Sequence, residues 1–316
     1  MLPTFLRFPF AFAGLITLIS LLPIPALAAR YPSYGTLRTT KSGGVLNVVI
    51  NNTYSTINLF DMHVQSDLAN LVETLQANDT DVRVVVFSSA NKEFFIGHID
   101  VEYFLPGYES VLPLYDTGFP DMLFPVALLW NITQLPQATI AVIEGRTRGI
   151  GNEFLMSCDM RFASTSPSVL ISQLETSLGV NPGAGGGMYL ARLIGRGLAF
   201  EYVLSSADVD ARTAARVGWV NAAFGTPREL HAHVRALAAR IAMFPAAGII
   251  ATKTGINAAT RLSREEIVNA AQNVIAALLP TPPVQGAFRR FIHVTRNQSI
   301  GKMELDYGAE VGRLFE

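Results

Sequence analysis

Three continuous apolar runs, rich in β-branched residues, constrain the fold of this chain more than any other feature of its sequence. They are VLNVVI (Val45–Ile50), VRVVVFSS (Val82–Ser89) and ATIAVIEG (Ala138–Gly145). Short runs of this kind, followed by turn-forming residues, are typical of buried strands. Between the first two runs the apolar residues recur at helical spacing, at Met62, Val64, Leu68, Leu71, Val72 and Leu75. A strand, a helix and a second strand within such a short stretch predict an α/β protein.

The N-terminal segment, MLPTFLRFPFAFAGLITLISLLPIPALA, has one charged side chain, Arg7, followed by a long apolar run that ends in small residues. This layout predicts a secretory signal peptide over residues 1–28, cleaved after Ala28. Because the apolar run is long for a cleaved signal, retention as a membrane anchor is the alternative. A mitochondrial presequence fits less well, since the segment is poor in Arg and Ser.

The charge balance and the cysteine content limit the classes of partner and covalent link. The chain has 24 Lys and Arg against 25 Asp and Glu, a formal net charge of −1. It therefore lacks the basic excess that is typical of nucleic-acid-binding proteins. Its single cysteine, Cys158, excludes an intrachain disulfide. Since Cys158 lies in an apolar helical pattern, we expect a small buried side chain rather than a reactive thiol.

Two glycine-containing stretches predict exposed backbone amides. In FFIGHID an apolar strand leads to Gly97, just before Asp100, a predicted helix N-cap. In RGIGNE, Gly149 and Gly151 flank Ile150 at the start of an apolar helix. Backbone N–H groups at a helix start have no partner within the helix and lie at the positive end of its dipole. Two such amides that converge on one point would form an oxyanion hole, in which each donor stabilises a transition state by roughly 3–4 kcal/mol.

Two glutamates, Glu153 and Glu175, lie 22 residues apart, each in an apolar setting. Burial disfavours the charged form of a carboxylate and so raises its pKa toward the range of acid–base catalysis. Two such groups could divide the work between a water proton and a carbon-bound proton. The residues alone leave other interpretations open: Glu153 could simply complement the helix dipole, and Glu175 could be a surface residue after a strand.

Other segments give weaker signals. Residues 101–135 are rich in proline and aromatic residues, which predicts an irregular apolar segment with a helix near PVALLWNITQL. NPGAGGG, at 181–187, predicts a tight turn that opens a helix, rather than a phosphate-binding loop, because the G-K-[ST] ending is missing. His231 and His233 are two residues apart in a helical run and so point to different faces, which argues against a zinc site.

Several stretches together resemble the crotonase (enoyl-CoA hydratase/isomerase) family: FIGHID, IAVIEGRTRGIGNEFLMSCDMRFAS and ISQLETSLGVNPGAGGGMYLARLIGR, followed by DARTAARVGWVN. The resemblance covers residues 43–225. It implies the ClpP/crotonase fold, a spiral of β-β-α repeats with a helical C-terminal region. We accordingly expect a spiral core over 29–245 and a helical region over 246–316, packed on the core or on a neighbouring subunit. It also implies a homotrimer, or a hexamer made of two trimers.

The resemblance also implies roles for the four positions that the residues themselves single out. Gly97 and Ile150 match the two backbone N–H donors of the oxyanion hole, which would hold a thioester carbonyl as it becomes enolate-like. Glu153 would help to activate a water at Cβ, and Glu175 would exchange its proton with Cα. The implied activity is that of a lyase that adds water to an α,β-unsaturated acyl thioester. The aromatic residues of 101–135 are a candidate wall for its acyl chain. Coenzyme A enters as part of the substrate, with no separate cofactor and no metal.

Two alternatives remain at this point. One is an isomerase or C–C hydrolase of the same fold that acts on a carbonyl substrate without coenzyme A, which the predicted export signal favours. The other is an exported, non-catalytic binding protein. The paired glutamates argue against the second, because a binding scaffold needs no carboxylate in an apolar cleft.

The chain departs from the family pattern beside the predicted Gly97 amide and in its C-terminal tail. His98 stands where many members have a small residue, and could pack, contact a ligand or act as a second base. We expect the substrate to be contacted by residues around the two glycine-containing stretches, namely Ile96, His98, Asp100, Gly149 and Gly151. The C-terminal tail does not match one that holds the nucleotide of coenzyme A, although Arg289, Arg290 and Arg296 could serve.

Overall fold

The computed structural model describes residues 31–77, 79, 81–107 and 124–316. The predicted signal peptide, and residues 108–123 of the proline-rich stretch proposed as an acyl-chain wall, lie outside these residues. The described residues form ten strands: β1 (Leu37–Ser42), β2 (Val45–Ile50), β3 (Val84–Ser89), β4 (Phe94–Ile96), β5 (Ala138–Ile143), β6 (Arg146–Arg148), β7 (Met160–Ser164), β8 (Leu170–Ser172), β9 (Val209–Asp210) and β10 (Ala222–Phe224). The three apolar runs of the sequence correspond to β2, β3 and β5.

Two sheets organise these strands. The larger has the order β1-β2-β3-β5-β7-β10, and the smaller has the order β4-β6-β8-β9. In the larger sheet every pair from β2 to β10 is parallel, and β1 adds an antiparallel edge. The pairs β3–β4, β5–β6 and β7–β8 each step from the larger sheet to the smaller, and a helix follows each pair. The predicted spiral of β-β-α repeats is therefore confirmed.

Twelve α-helices lie in the described part of the chain. They are α1 (Met62–Ala77), α2 (Phe124–Thr133), α3 (Ile150–Ser157), α4 (Gly186–Ile194), α5 (Arg196–Ser205), α6 (Ala211–Val217), α7 (Pro227–Ala242), α8 (Ala246–Thr260), α9 (Arg264–Gln272), α10 (Pro282–Val294), α11 (Lys302–Leu305) and α12 (Tyr307–Glu310). Within that part no single helix is long and apolar enough to cross a membrane; α7 and α8 together would pass by length and composition, with a 111° bend between them.

The main core lies between the sheets and the helices that follow them. Helix α3 is buried along its whole length, and its Phe154 ring packs edge-on against Phe87, with centroids 5.2 Å apart. Cys158 is buried, as predicted. The helical spacing predicted for α1 holds, because Val64, Leu68, Leu71, Val72 and Leu75 are all buried, while Met62 is only half-buried.

A second apolar cluster joins the C-terminal helices to the spiral. Phe288 and Phe291 of α10, together with Met303 and Tyr307, pack against Leu178 and its neighbours. Helix α8 behaves differently, since none of its residues is buried. Within the helical region, α10 to α12 therefore pack against the core, whereas every residue of α8 is at least partly exposed to solvent.

Candidate active site

Two parallel strands of the smaller sheet bring the glycine-containing stretches together. Strand β4 pairs with β6, so that Ile96 lies opposite Thr147. The pairing extends past both strands, because the Arg148 N–H donates to the Gly97 carbonyl at 3.1 Å. The residues that follow each strand therefore remain side by side, as the sequence motifs predict.

Glycine is needed where α3 starts against β4. A Cβ at Gly151 would lie 2.4 Å from the Ile96 carbonyl oxygen, closer than any real contact. Gly149 has φ +53°, a conformation that L side chains rarely adopt. These two glycines allow the first turn of α3 to approach the end of β4.

Among the described residues, the amides of His98 and Ile150, one in each glycine-containing stretch, have no acceptor. Ile150 is the first residue of α3, so its N–H has no partner within the helix, and no acceptor for it is found among the described residues. The Gly97 N–H instead donates to the Ile57 carbonyl at 3.0 Å, so Gly97 is not the free donor that the sequence predicted. The next amide, that of His98, has no acceptor in the described part of the chain, while its carbonyl accepts from Phe60 at 2.8 Å.

Glu153 lies in the first turn of α3 and is buried. Its Oε1 accepts from the backbone N–H groups of Ala184 and Gly186, both at 2.8 Å. These amides belong to the glycine-rich turn that opens α4, which is therefore a structural turn directed at Glu153. Burial raises the pKa of Glu153 to about 7, although the two backbone hydrogen bonds oppose the rise.

Glu175 begins a 3₁₀ turn, Glu175–Leu178, and is half-buried rather than a surface residue. A Cβ built at Gly149 would lie 2.9 Å from its Oε1, so the carboxyl group lies against the residue that precedes Ile150. Burial, followed by the charge of nearby Glu153, raises the pKa of Glu175 well above its ordinary value. The two carboxyl groups thus face one site, where they can be held in different protonation states.

A buried chain of hydrogen bonds orients Glu175, and the sequence analysis missed it. The Trp219 indole N–H donates to Asn152 Oδ1 at 2.9 Å, Asn152 Nδ2 donates to Gln173 Oε1, and Gln173 Nε2 donates to Glu175 Oε2 at 3.1 Å. Since an indole can only donate, it fixes the direction of the whole chain. Oε2 of Glu175 is therefore an acceptor, which leaves Oε1 to carry the proton.

Sequence spacing could have indicated only part of this chain. Gln173 precedes Glu175 by only two residues, just after β8, so this contact is local in the chain. Trp219, however, lies 67 residues from Asn152, and no local pattern connects them.

The remaining predicted ligand contacts are engaged within the chain. Ile96 is buried in β4. Asp100 is the predicted N-cap, here of a 3₁₀ turn, and its Oδ1 accepts from the Glu102 N–H at 3.1 Å and from Gln298 Nε2 at 2.7 Å. The His98 imidazole is buried and 3.1 Å from Glu304. The side chains of His98 and Asp100 therefore contact the C-terminal tail and not an open cleft.

The predicted basic and histidine residues lie elsewhere. Arg289, Arg290 and Arg296 are exposed, and Arg290 Nε donates to the Leu314 carbonyl at 2.7 Å. His231 is 2.7 Å from Glu144, whereas His233 packs on Phe162 and Phe224. No three potential metal-ligating side chains come together within the described ranges.

Comparison with known proteins agrees with this geometry. The family model for enoyl-CoA hydratase/isomerase matches residues 40–293. A short-chain-enoyl-CoA hydratase of Clostridium acetobutylicum is 27% identical over 219 residues, 69% of this chain and 79% of that protein. The mitochondrial enoyl-CoA hydratase domain-containing protein 2 of Mus musculus is 30% identical over 212 residues, 67% of this chain and 68% of that protein.

Solved structures share the fold. A protein of Streptomyces avermitilis, provisionally named as an enoyl-CoA hydratase, is 38% identical, with a TM-score of 0.80 over 89% of this chain and 98% of that one. An enoyl-CoA hydratase from Mycobacterium avium subsp. paratuberculosis is 24% identical, with a TM-score of 0.69 over 85% of this chain and 99% of that one. The chain that carries these two facing glutamates belongs to the enoyl-CoA hydratase/isomerase (crotonase) family.

Proposed function

We propose that this chain adds water across the α,β double bond of an enoyl thioester, with coenzyme A as the thiol carrier. The observation that carries the proposal is the pair of glutamates, Glu153 and Glu175, whose raised pKa values suit acid–base catalysis, beside two free backbone amides. The relatives named as enoyl-CoA hydratases support the substrate class.

In the proposed reaction the thioester carbonyl accepts hydrogen bonds from the His98 and Ile150 N–H groups. Their dipoles stabilise the negative charge that develops on this oxygen in the enolate-like state. The Glu153 carboxylate takes a proton from water as the water oxygen bonds to Cβ. Glu175 gives the proton on its Oε1 to Cα. Glu153 gains one proton and Glu175 loses one, so the transfer of a proton from Glu153 to Glu175 restores the starting state.

The first experiment follows the loss of enoyl absorbance when the full chain is mixed with enoyl-CoA thioesters of increasing acyl length. We expect Glu153→Gln and Glu175→Gln each to lower kcat by about 10²–10⁴-fold, because each removes a general acid–base group. Exposed Glu201→Gln is the matched control and should leave kcat unchanged. A folded wild-type chain without turnover on any thioester would rule the proposal out.

Isomerisation or C–C hydrolysis of a carbonyl compound without coenzyme A is the second candidate, favoured by the predicted export of the chain. Labelled water separates it from hydration on any substrate, with or without coenzyme A, that the chain turns over. Hydration in H₂¹⁸O places the label on Cβ of the product, whereas isomerisation moves the double bond without taking up label. C–C hydrolysis gives two shorter products, one of them labelled.

We further propose that residues 1–28 direct export and are removed after Ala28, with retention as a membrane anchor as the alternative. The amino-terminal sequence of the mature chain, recovered separately from the medium and the membrane fraction, tests this. A chain that begins at Ala29 in the medium supports export. A chain recovered from the membrane with its first 28 residues intact supports the anchor, and an intact chain inside the cell would refute both.

A further inference from the structure

A buried acid in the C-terminal tail has no part in the reaction proposed above. Glu304 lies in the short helix α11 and is 1% exposed. Its Oε1 is 3.1 Å from Nε2 of His98, a residue 206 positions earlier in the chain. A carboxylate is rarely buried so completely without a specific partner, and here that partner is the residue whose backbone N–H is a free donor of the site.

The contacts of the imidazole indicate which of its nitrogen atoms carries a hydrogen and where the proton shared with Glu304 lies. His98 Nδ1 is 2.7 Å from the Ile99 carbonyl, which can only accept, so Nδ1 carries a hydrogen. The contact between Nε2 and Oε1 then needs one further proton to be a hydrogen bond. Burial opposes the charged form of His98, but the Glu304 carboxylate outweighs it and raises the pKa of His98, against a smaller opposing effect of Arg148. The pair therefore shares one proton between Nε2 and Oε1, and the raised pKa of His98 favours its location on the imidazole.

The same tail segment also contacts the second strand of the oxyanion hole. Arg148 Nη1 donates to the Glu304 carbonyl at 2.6 Å, and Arg146 Nε donates to the Leu305 carbonyl at 2.6 Å. Arg148 in addition makes a bidentate ion pair with Asp208, with both distances at 2.8 Å. Each arginine therefore has an acidic partner, Asp208 for Arg148 and Glu93, at 2.6 Å, for Arg146.

We propose that Glu304 is a positioning residue of the oxyanion hole and that the backbone carbonyls of Glu304 and Leu305 are a working part of the site. The Glu304 side chain holds the backbone at His98 through the imidazole. The carbonyls of Glu304 and Leu305 hold the strand that leads to Ile150 through Arg148 and Arg146. Misplacing such donors by about 1 Å can cost roughly 10²-fold in rate. This inference rests on the proposed function.

The test compares Glu304→Ala with Glu304→Gln and with a neighbouring control, Met303→Ala. Met303 is buried in the apolar cluster under α10, and its uncharged side chain cannot form an ion pair with His98. Two quantities are measured for each variant: turnover of enoyl-CoA, and the absorbance of a bound dienoyl-CoA. The absorption band of the dienoyl group moves to longer wavelength when hydrogen bonds polarise its carbonyl, so it reports the oxyanion hole without turnover.

We expect Glu304→Ala to lower kcat about 10²-fold with little change in KM, and to abolish most of the wavelength shift. Glu304→Gln should retain at least a third of the wild-type kcat, because its amide can donate to the neutral Nε2 of His98. Met303→Ala should lower the melting temperature at least as much as Glu304→Ala, yet keep kcat and the shift.

Each contrary outcome has one meaning. If the Met303 and Glu304 alanine variants lose activity in proportion to stability, the tail acts only by packing and the inference is wrong. It is also wrong if the wild type turns over and shifts the dienoyl band while Glu304→Ala does the same. A wild-type chain that neither turns over nor shifts the band overturns the proposed function, and the inference with it.

Discussion

Glu153 and Glu175 are the same residue type in one site, but their surroundings differ. Glu153 accepts two backbone N–H groups from the start of α4, which favour its ionised form. Glu175 accepts a side-chain amide from Gln173 and backbone N–H groups of Leu174 and Glu175, but the charge of nearby Glu153 adds to burial and raises its pKa further. We therefore expect Glu153 to ionise first and to be the base, while Glu175 keeps its proton and is the acid.

This order predicts the pH dependence of the reaction. The pKa of Glu153 is raised to about 7, so kcat/KM should rise as the pH increases through that value and the carboxylate forms. At higher pH the rate should fall, because Glu175 then loses the proton that Cα needs. Initial rates from pH 5 to 10 would give a bell-shaped profile. A profile that is flat from pH 5 to 8 would contradict the assignment of Glu153 as the base.

The same raised pKa predicts that Glu153 lowers the stability of the folded chain. Below its ordinary value of 4.5 the carboxyl group is protonated in both the folded and the unfolded chain, and it has no effect. Between 4.5 and about 7 the unfolded chain releases the proton first, so the free energy of unfolding falls as the pH rises. Glu153→Gln should therefore raise that free energy by about 3 kcal/mol at pH 8 and hardly at all at pH 4.5. Urea unfolding at the two pH values, with Glu201→Gln alongside, would measure it; an equal gain at both would contradict the argument.

At the scale of the elements, the oxyanion hole depends on how closely α3 approaches β4. Because a Cβ at Gly151 would lie 2.4 Å from the Ile96 carbonyl oxygen, Gly151→Ala must push the helix away from the strand. We expect a loss of about 1–3 kcal/mol in the free energy of unfolding. The displaced Ile150 amide should lower kcat by about 10²-fold.

Gly197→Ala is the matched control for this substitution. Gly197 lies in α5, and an added Cβ would meet no atom within 4 Å. Alanine there should raise stability by roughly 0.5–1 kcal/mol through its higher helix propensity, and leave kcat unchanged. Thermal melting and kcat would be measured for both variants. Equal kcat values for them would show that the approach of α3 to β4 has no bearing on the rate.

At the scale of the whole molecule, local sequence patterns predict only those features that are determined by residues close together in the chain. The continuous apolar runs identify β2, β3 and β5 because these strands are buried within the larger sheet. Strand β1 was missed, since LRTTKS at the edge of the sheet is polar and half-exposed. The sequence predicts the free amide at Gly97, one residue before His98. The hydrogen bond from the Gly97 N–H to the Ile57 carbonyl joins segments 40 residues apart, so no local pattern indicates it. The contact of His98 with Glu304 joins residues 206 positions apart and has no local signal.

Large apolar side chains are exposed on α8 and next to it. Ile256 is 59% exposed and Phe244, just before the helix, is 46% exposed; both line a cleft of about 970 Å³ between α8 and the core. Large apolar side chains grouped on one surface are typical of a protein interface. We propose that this surface meets a second copy of the chain in a homotrimer or a hexamer. Ile256→Asp should then lower the mass measured by light scattering to that of a single chain, because a carboxylate would be buried without a partner.

Tyr54→Asp is the control for this measurement. Tyr54 is 66% exposed and lies between β2 and α1, away from α8 in the sequence. The variant should keep the mass of the wild type, since its added charge stays in water. A wild-type chain that already has the mass of one subunit would refute the assembly. A multimer that withstands Ile256→Asp would place the interface on another surface, and the exposed apolar residues of α8 would then need a different partner.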